Sequence, residues 1–253
     1  MFIIASDEMV GATKLAALAA SQIAFKSGTG IVKLLIRKSQ KKFYKTHILE
    51  ELLIIYSKLN EIENILQTKK DLTVLFGCGL EINEENSNIL KLLLKMKIKL
   101  VLDASSFSII EKDIKNFMYL LSKRSSVTIL TPHLGEFKKI FTVSNNKIKD
   151  TKTAAHKANS IVLFKGNDTV ISSPKGKTFI NYFSSPYLAT AGSGDVLSGI
   201  IASFLAQNYD PIIATTIACY IHSQSGIEIN KPLSAKDIID VLPSIIQKNY
   251  KIN

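Results

Sequence analysis

From Tyr187 to Ile201 the chain reads YLATAGSGDVLSGII, a turn of small residues followed directly by an apolar segment with helical periodicity. Glycines at positions 192 and 194 let the backbone approach a bound group closely. The first amides of a helix have no internal partners, and the helix dipole adds positive charge behind them. The sequence therefore predicts that Gly192, Ser193 and Gly194 form an anion site that suits a phosphate.

Asp195 follows this turn directly. A carboxylate does not help to hold a phosphate, but at this place it can take a proton from a hydroxyl group that attacks one. Aspartate and serine also begin many helices for stability alone. The turn by itself therefore leaves two interpretations open, a catalytic base and a helix cap.

The composition is that of an ordinary globular protein, with 46% hydrophobic and 21% charged residues among 253. No run of about 18 apolar residues is present, so we expect no transmembrane helix. The first residues lack a basic segment and include Asp7 and Glu8, unlike a signal peptide. Cys78 and Cys219 are too few and too isolated for a disulfide framework or a zinc site. We predict a cytoplasmic protein with no membrane partner.

The formal net charge of +11 raises the question of a nucleic-acid ligand. Only Arg37 and Arg124 are arginines, however, and the lysines are scattered among apolar and amide residues. Arginine is the side chain that binds phosphate and guanine in a bidentate way. We expect the densest basic run, residues 37–42, to be a solvated loop, and we predict no nucleic-acid partner.

Short apolar runs alternate with helical patterns along the chain, which predicts a doubly wound, mostly parallel α/β sheet covered on both faces. The expected strands are 2–5, 31–36, 72–76, 100–102, 127–130 and 161–164, followed by a hairpin of 169–172 and 178–182. The expected helices are 12–25, 46–57, 84–96, 110–121, 135–141, 196–207, 211–229 and 234–248. No linker or repeat interrupts the pattern, so we predict a single domain.

Glycine-containing or polar segments follow five of the expected strands. They are residues 6–12, 77–79, 103–105, 131–136 and 165–169. Turns need such residues anyway, so any one of these segments has a structural explanation. Ligands of open α/β sheets bind beyond the carboxyl ends of the strands, however, and all five segments lie at that edge.

Three segments carry a resemblance to a known family. They read Thr131-Pro132-His133-Leu134-Gly135-Glu136-Phe137, Lys165-Gly166, and the stretch 188–200 around the glycine turn. In this order they resemble the ADP/ATP-dependent NAD(P)H-hydrate dehydratases of the ribokinase-like superfamily and the similar half of bifunctional NAD(P)H-hydrate repair enzymes. The resemblance covers nearly the whole chain. It implies one domain over residues 1–253, with a ribokinase-like three-layer α/β/α sandwich.

The resemblance also implies a reaction and a set of site residues. The enzyme would phosphorylate the 6-hydroxyl of an NADH or NADPH hydrate with ADP or ATP and Mg²⁺, and elimination of phosphate would restore the dihydronicotinamide. Asp195 would be the catalytic base. The substrate would contact Ala12, Gly79, His133 and Asp195, and the nucleotide would contact Lys165, Gly166, Asn167, Asp168 and Thr169 together with the glycine turn. Glu136 would either support Mg²⁺ through water or cap a helix.

Several alternatives stay open at this point. Cys78, Glu81 and Ser105 stand where the family usually has proline, glycine and a second aspartate. The altered stretch 77–81 favours a nucleotide-binding module without turnover more than any other feature does. A ribokinase-like kinase of a small vitamin precursor would share Asp195 and the anion turn. Lys165 would either pair with phosphate or only end a strand. His133 would either contact a ligand or be a polar residue with satisfied hydrogen bonds. We expect His222 in the core or on the surface. The apolar C-terminal helices predict a homo-oligomer.

Overall fold

The computed structural model describes residues 1–7, 9–26, 31–45, 52–68 and 71–249. Within them, nine strands form one sheet. The strands are β1 (Phe2–Ile4), β2 (Lys33–Arg37), β3 (Leu52–Tyr56), β4 (Thr73–Phe76), β5 (Lys99–Leu102), β6 (Thr128–Leu130), β7 (Ile161–Phe164), β8 (Thr169–Ser172) and β9 (Thr178–Asn181). Their order across the sheet is β3-β2-β1-β4-β5-β6-β7-β8-β9.

The strands from β3 to β7 are parallel, whereas β8 and β9 form an antiparallel extension at one side. Strands β2 and β3 extend the sheet on one side of β1, whereas β4 and the strands after it extend the sheet on the other side. The position between β1 and β4 is therefore a topological switch point. At such a switch point the loops after neighbouring strands diverge and leave a crevice at the carboxyl edge of the sheet. The carboxyl edge of the sheet is where the sequence led us to expect a site.

Helices cover both faces of the sheet. They are α1 (Val10–Lys26), α2 (Lys41–Lys45), α3 (Leu59–Gln67), α4 (Glu84–Lys95), α5 (Ser105–Lys112), α6 (Ile114–Lys123), α7 (Leu134–Ile140), α8 (Lys147–Ala158), α9 (Ser193–Ala206), α10 (Pro211–Ile229) and α11 (Ala235–Asn249). Helices α1, α9, α10 and α11 pack on one face, over side chains such as Ile3 and Leu34. Helices α3 to α8 pack on the other, over Ile4 and Leu35. The predicted three-layer sandwich is confirmed.

One prediction of an element was wrong. We expected a helix over 46–57, but residues 52–56 form strand β3 and 46–51 lie outside the described residues. The run from Leu52 to Tyr56 is continuously apolar, and periodicity cannot distinguish such a run from a buried helical segment. Its β-branched isoleucines pair with β2 in parallel register.

Smaller differences concern one helix that is divided in two, two helices that were not expected, and a segment that we expected to be a loop. The expected helix over 110–121 is two helices, α5 and α6, that meet at Asp113. Helices α3 and α8 were not expected. The basic run 37–42 is not a loop, because Arg37 ends β2 and pairs with Asp7 and Glu85, and a short 3-10 helix and α2 follow. None of the helices in the described part of the chain is long and apolar enough to span a bilayer.

Candidate functional site

A cavity of about 590 Å³ opens at the carboxyl edge of the sheet. Its walls come from the segments after β5, β6 and β7, from the loop that follows β9, and from the start of α9. Most of the candidate site residues line it. They are His133, Glu136, Lys165, Gly166, Asn167, Thr169, Gly192, Ser193, Gly194 and Asp195. Residues that are far apart in the sequence therefore face one space.

The glycine turn forms the beginning of α9. Gly192 precedes the helix with φ +83°, a left-handed conformation that favours glycine. Ser193 and Gly194 are the first two residues of the helix, and Asp195 lies in its first turn. Gly192 occupies the N-cap position and brings no side chain that could bond to the first amides. The Ser193 amide donates to Thr190 O at 3.3 Å, and the helix dipole together with the amides that follow favours an anion in the cavity.

Asp195 lies in an environment that suits a proton acceptor. Burial raises the pKa of its carboxyl group to about 6, and the charge of Asp103 acts in the same direction. The Cys78 thiol and the Lys165 ammonium group oppose this shift but do not cancel it. A carboxylate with a pKa near neutrality remains ionised at pH 7 and accepts a proton more readily than an ordinary aspartate does.

Lys165 joins two carboxylates at the floor of the site. Its Nζ atom lies 2.9 Å from Asp103 Oδ1 and 3.6 Å from Glu136 Oε2. Burial lowers the pKa of Lys165, but the facing carboxylates outweigh this effect and hold the pKa above its ordinary value. Lys165 therefore brings a fixed positive charge to the cavity wall, as a site for a transferring phosphoryl group requires.

Asp103 is buried, and hydrogen bonds surround it. Its Oδ1 atom accepts a bond of 2.8 Å from the Thr131 hydroxyl in addition to the Lys165 contact. Its Oδ2 atom accepts a bond of 2.9 Å from Ser198, which lies one turn after Gly194 in α9. Asp103 thus connects the ends of β5, β6 and β7 to α9 and fixes the orientation of Lys165.

His133 and Glu136 cap α7 together. The Nδ1 atom of His133 accepts bonds from the amides of Gly135 and Glu136, at 2.9 and 3.2 Å, and Glu136 Oε2 accepts one of 2.8 Å from the His133 amide. This is a capping box in which histidine takes the usual place of serine or threonine. The His133 ring is exposed to the cavity, so capping does not prevent contact with a ligand.

The segment from Lys165 to Thr169 connects β7 to β8. The Thr169 hydroxyl donates to Gly166 O at 2.9 Å, and Asn167 and Asp168 are exposed at the tip. Lys147, at the start of α8, holds this loop from outside. Its Nζ atom donates to Asp168 O and Oδ1, at 2.7 and 3.0 Å, and lies 4.8 Å from the centre of the Phe164 ring.

Ala12 and Gly79 lie together, but they are not among the residues that line the cavity. Gly79 follows β4 with φ +72°, and a Cβ atom there would lie 3.0 Å from Ala12 Cβ. The Ser6 hydroxyl donates to Gly79 O at 2.6 Å, which ties the loops after β1 and β4 together. The pair therefore occupies the switch point, next to the cavity.

Cys78 brings a thiol close to the carboxylates of Asp103 and Asp195. One ligand atom each of Cys78, Asp103 and Asp195 lie within 4.8 Å of one another, and this is the one such group among the residues that the structure describes. Burial raises the pKa of Cys78 well above its ordinary value, so the thiol stays protonated. Mg²⁺ prefers oxygen ligands, and Lys165 already neutralises Asp103. The Glu136 carboxylate, which faces the cavity, fits a water-mediated Mg²⁺ better than this group does.

His222 is a site residue whose role the sequence did not indicate. It is buried in α10, lines the cavity and contacts Ser193 at the start of α9. No local motif surrounds it, because the contact joins two helices through residues that are 29 positions apart in sequence. Lys147 was missed for the same reason, since α8 was not predicted and its contact with the loop is long-range.

Comparison with known proteins shows which family the sequence matches. Residues 1–248 match the sequence pattern of a family described as NAD(P)H-hydrate dehydratase. The bifunctional NAD(P)H-hydrate repair enzyme of Dictyoglomus turgidum is 30% identical over 263 residues, covering 96% of the chain and 49% of that enzyme. The ADP-dependent (S)-NAD(P)H-hydrate dehydratase of Nitrosopumilus maritimus is 32% identical over 195 residues, 74% of the chain and 64% of that protein. The chain thus spans about half the length of the bifunctional relatives it matches.

A solved structure shows the same fold. The ADP/ATP-dependent NAD(P)H-hydrate dehydratase from Bacillus subtilis, co-crystallised with ATP/Mg²⁺ and soaked with CoA, superimposes with a TM-score of 0.77. The match covers 98% of the chain and 91% of the solved one, at 24% identity. The ribokinase-like fold expected from the sequence is thereby confirmed.

Proposed function

The chain belongs to the NAD(P)H-hydrate dehydratase family, and we propose that it uses ADP or ATP to dehydrate an NADH or NADPH hydrate and restore the dihydronicotinamide. One observation carries this proposal beyond family membership. The Asp195 carboxylate, with a pKa raised to about 6, lies in the first turn of α9 beside the Lys165–Asp103 pair. A proton acceptor, an anion site and a fixed positive charge therefore face one cavity.

In this proposal the two ligands occupy different parts of the carboxyl edge. The adenine nucleotide contacts the loop Lys165–Thr169, and its phosphates lie against the amides of Gly192 to Gly194. The hydrate lies toward the switch point, between His133, Asp195 and the Ala12–Gly79 pair. The cavity supports this arrangement, because residues of the nucleotide loop and of the glycine turn both contribute to its wall. The place of the hydrate is supported by Gly79, which follows Cys78, because the Cys78 thiol approaches Asp195.

The reaction proceeds in two steps. Asp195 takes the proton of the 6-hydroxyl as the oxygen attacks the terminal phosphorus of the nucleotide, and AMP or ADP leaves with the electrons of the broken P–O bond. The C–O bond then breaks as the ring nitrogen donates its lone pair, phosphate leaves, and loss of a proton from the neighbouring ring carbon restores the double bond. Lys165 and the turn amides stabilise charge on the moving phosphoryl group.

Mg²⁺ would be held by the nucleotide phosphates and, through water, by Glu136, and it would neutralise phosphate charge during transfer. The Oε2 atom of Glu136 accepts the capping bond of α7 and lies near Lys165. Its Oε1 atom lies 3.4 Å from Nε2 of the His133 ring. Oε1 takes no part in the capping bond, so it is the oxygen that would accept a bond from a metal-bound water. Capping and metal support are therefore compatible at this residue.

Two other functions share parts of the site. A small-molecule kinase would use the same base and anion turn, but the family match over residues 1–248 favours the dehydratase. A binding module without turnover was suggested by Cys78 and Glu81. The Cys78 side chain fits beside Asp195 and Ser198, and the Glu81 carboxylate accepts a bond from Asn83. Neither substitution removes a group that the proposed reaction needs.

The decisive test replaces the base and follows two readouts. Asp195→Asn keeps the size of the side chain, so we expect turnover of NADH hydrate to fall by a factor of about 10² to 10⁴. Nucleotide-induced stabilisation should persist, because the substitution removes a negative charge beside the phosphates. The assay follows the return of dihydronicotinamide absorbance with ADP or ATP and Mg²⁺. Near-parental turnover by Asp195→Asn would refute the mechanism, and a parent protein that binds nucleotide without turnover would favour the binding module.

The same proposal extends to location and assembly. A cytoplasmic location is supported by the thiols of Cys78 and Cys219, which are both buried and free of disulfides. A homo-oligomer is supported by β9, the last strand of the described sheet, because Ile180 in this strand and Tyr182 and Phe183 directly after it expose large apolar side chains. Light scattering gives the mass that checks the second point. We also propose that residues 1–253 form a single domain.

A further inference from the structure

His222 makes two contacts with one residue of the anion turn. Its Nε2 atom lies 2.9 Å from the Ser193 hydroxyl oxygen and 3.0 Å from the Ser193 carbonyl oxygen. His222 and Ser193 are both buried, and both line the cavity. Helix α10 thus supports the first residue of α9 directly, at the point where a phosphate would bind.

The two contacts determine which nitrogen of the ring carries the proton. A carbonyl oxygen only accepts hydrogen bonds, so Nε2 must donate to Ser193 O. The Ser193 hydroxyl oxygen also lies 2.9 Å from Nε2. Because a protonated Nε2 cannot accept a hydrogen bond, the hydroxyl oxygen accepts in this contact. Burial lowers the pKa of His222 to about 4, and the positive charge of Lys165 acts in the same direction. The ring is therefore neutral at physiological pH, with its single proton on Nε2.

This arrangement has a consequence for the Ser193 hydroxyl group. A hydroxyl has one proton and two lone pairs, and the His222 N–H occupies a lone pair. The hydroxyl proton is then available to donate toward the cavity, where the turn amides also converge. An imidazole with the other tautomer would instead accept that proton and withdraw it from a ligand.

We propose that His222 is a positioning residue that commits the Ser193 hydroxyl to donate a hydrogen bond to a phosphate of the bound nucleotide. This inference rests on the proposed function, because it deepens the nucleotide site of that reaction. It adds a hydroxyl donor to the backbone amides of the turn, and a donor to an ionised phosphate makes a stronger bond than a neutral pair does.

The experiment measures ADP affinity by calorimetry without the hydrate, in the parent protein and its variants. His222→Leu removes the N–H donor, and we expect ADP to bind at least about tenfold more weakly. His222→Gln keeps an N–H donor near the same place and should retain affinity within a few-fold. Ser193→Ala should match His222→Leu, and the double variant should be no weaker than either single one, because both changes act on the same hydroxyl–phosphate bond. His156→Leu, at an exposed position in α8, is the matched control.

Kinetics separate this role from a structural one. The KM for the nucleotide should rise in His222→Leu and return in His222→Gln, while the KM for the hydrate stays at the parental value. If His222→Leu does not fold, Ser193→Ala and His222→Gln still decide the outcome. Parental ADP affinity in Ser193→Ala, or additive losses in the double variant, would overturn the inference and leave the proposed function intact. A parent protein that binds neither ADP nor ATP would overturn both.

Discussion

Opposing effects set the pKa of Asp195, the base that we propose. Burial and the charge of Asp103 disfavour its ionised form, whereas Lys165 and the Cys78 thiol favour it. An ordinary exposed aspartate would be a weaker proton acceptor, and without Lys165 nearby the pKa of Asp195 would rise further toward neutrality. Without these neighbours, a carboxylate in the first turn of α9 would only interact favourably with the helix dipole, which is why the sequence motif alone was ambiguous.

The pH dependence of the reaction should report this carboxylate. Asp195 accepts a proton only when it is ionised, so kcat/KM should decrease as the pH falls through about 6. A base with an ordinary aspartate pKa would keep its activity to a lower pH. The measurement is a profile of kcat/KM across this range, with circular dichroism at each pH to show that the protein stays folded. A profile that stays flat well below this pKa in the folded protein would contradict the assignment.

His133 caps α7 and, in the proposed site, also contacts the hydrate, and two substitutions can separate these roles. His133→Asn keeps a side chain that caps helices well, so the stability of α7 should hold, but the hydrate should bind more weakly because the ring is lost. His133→Ala should weaken hydrate binding too and should also lower stability by about 1 kcal/mol through the lost cap. Hydrate KM and thermal unfolding are the two readouts. Nucleotide affinity should not change; an equal loss of both affinities in His133→Asn would assign the residue to the architecture of the strand end.

At the scale of elements, the loop between β7 and β8 depends on a helix that is not part of it. Lys147 begins α8 and holds the loop through two bonds to Asp168. Its interaction lowers the pKa of Asp168, which keeps that carboxylate ionised and paired. A loop with an exposed tip needs such an outside support, because its own hydrogen bonds, between Gly166 and Thr169, involve only its ends.

We therefore expect Lys147→Met to weaken ADP binding several-fold while turnover at saturating nucleotide stays near the parental value. The substitution keeps the length and apolar stem of the side chain but removes the ammonium donor, so the loop loses its preorganised shape. Lys149→Met, an exposed lysine in the same helix, is the matched control. Titration calorimetry gives both affinities. If both variants bind ADP like the parent, the loop is rigid without this support.

The elements themselves could be predicted wherever a short apolar run is flanked by turn residues. Strands β4 to β7 were found in this way, because parallel strands buried on both faces are continuously apolar. The same rule failed at β3, where the apolar run extends from a longer segment without a clear break. Helix α8 was missed because lysine and threonine make up half of its sequence and its buried positions carry small or polar side chains, among them Ala154 and Ala155.

The site was predictable for residues that local motifs mark, and not for those that act across the fold. His133, Lys165 and Gly194 each follow a strand or begin a helix, so the edge rule finds them. His222 and Lys147 reach the site only because α10 and α8 pack beside it. Asp103 lies in the segment 103–105 that the edge rule marked, but its contact with Ser198, 95 residues later, exists only in the folded chain.

At the scale of the whole molecule, the cavity lies where the helical layers meet around the sheet edge. One wall comes from α9 and α10 on one face, and another comes from the start of α7 on the opposite face. Asp103 and Lys165 lie between them at the carboxyl ends of β5 and β7. A ligand that fills this space contacts both layers, so its binding should stabilise the entire fold and not one element alone.

Thermal unfolding tests this expectation. ADP or ATP at about 100 times its dissociation constant should stabilise the protein by about 2.7 kcal/mol, which raises the Tm of a domain of this size by roughly 5–10 °C. Gly194→Val should abolish the shift, because a Cβ atom there would lie 3.4 Å from Lys165 Nζ, and the added methyl groups would fill the space between the turn and that ammonium group. Gly11→Val is the matched control, since a Cβ atom at Gly11 meets nothing within 4 Å. A nucleotide response that survives in Gly194→Val would locate the nucleotide elsewhere on the molecule, and with it the reaction.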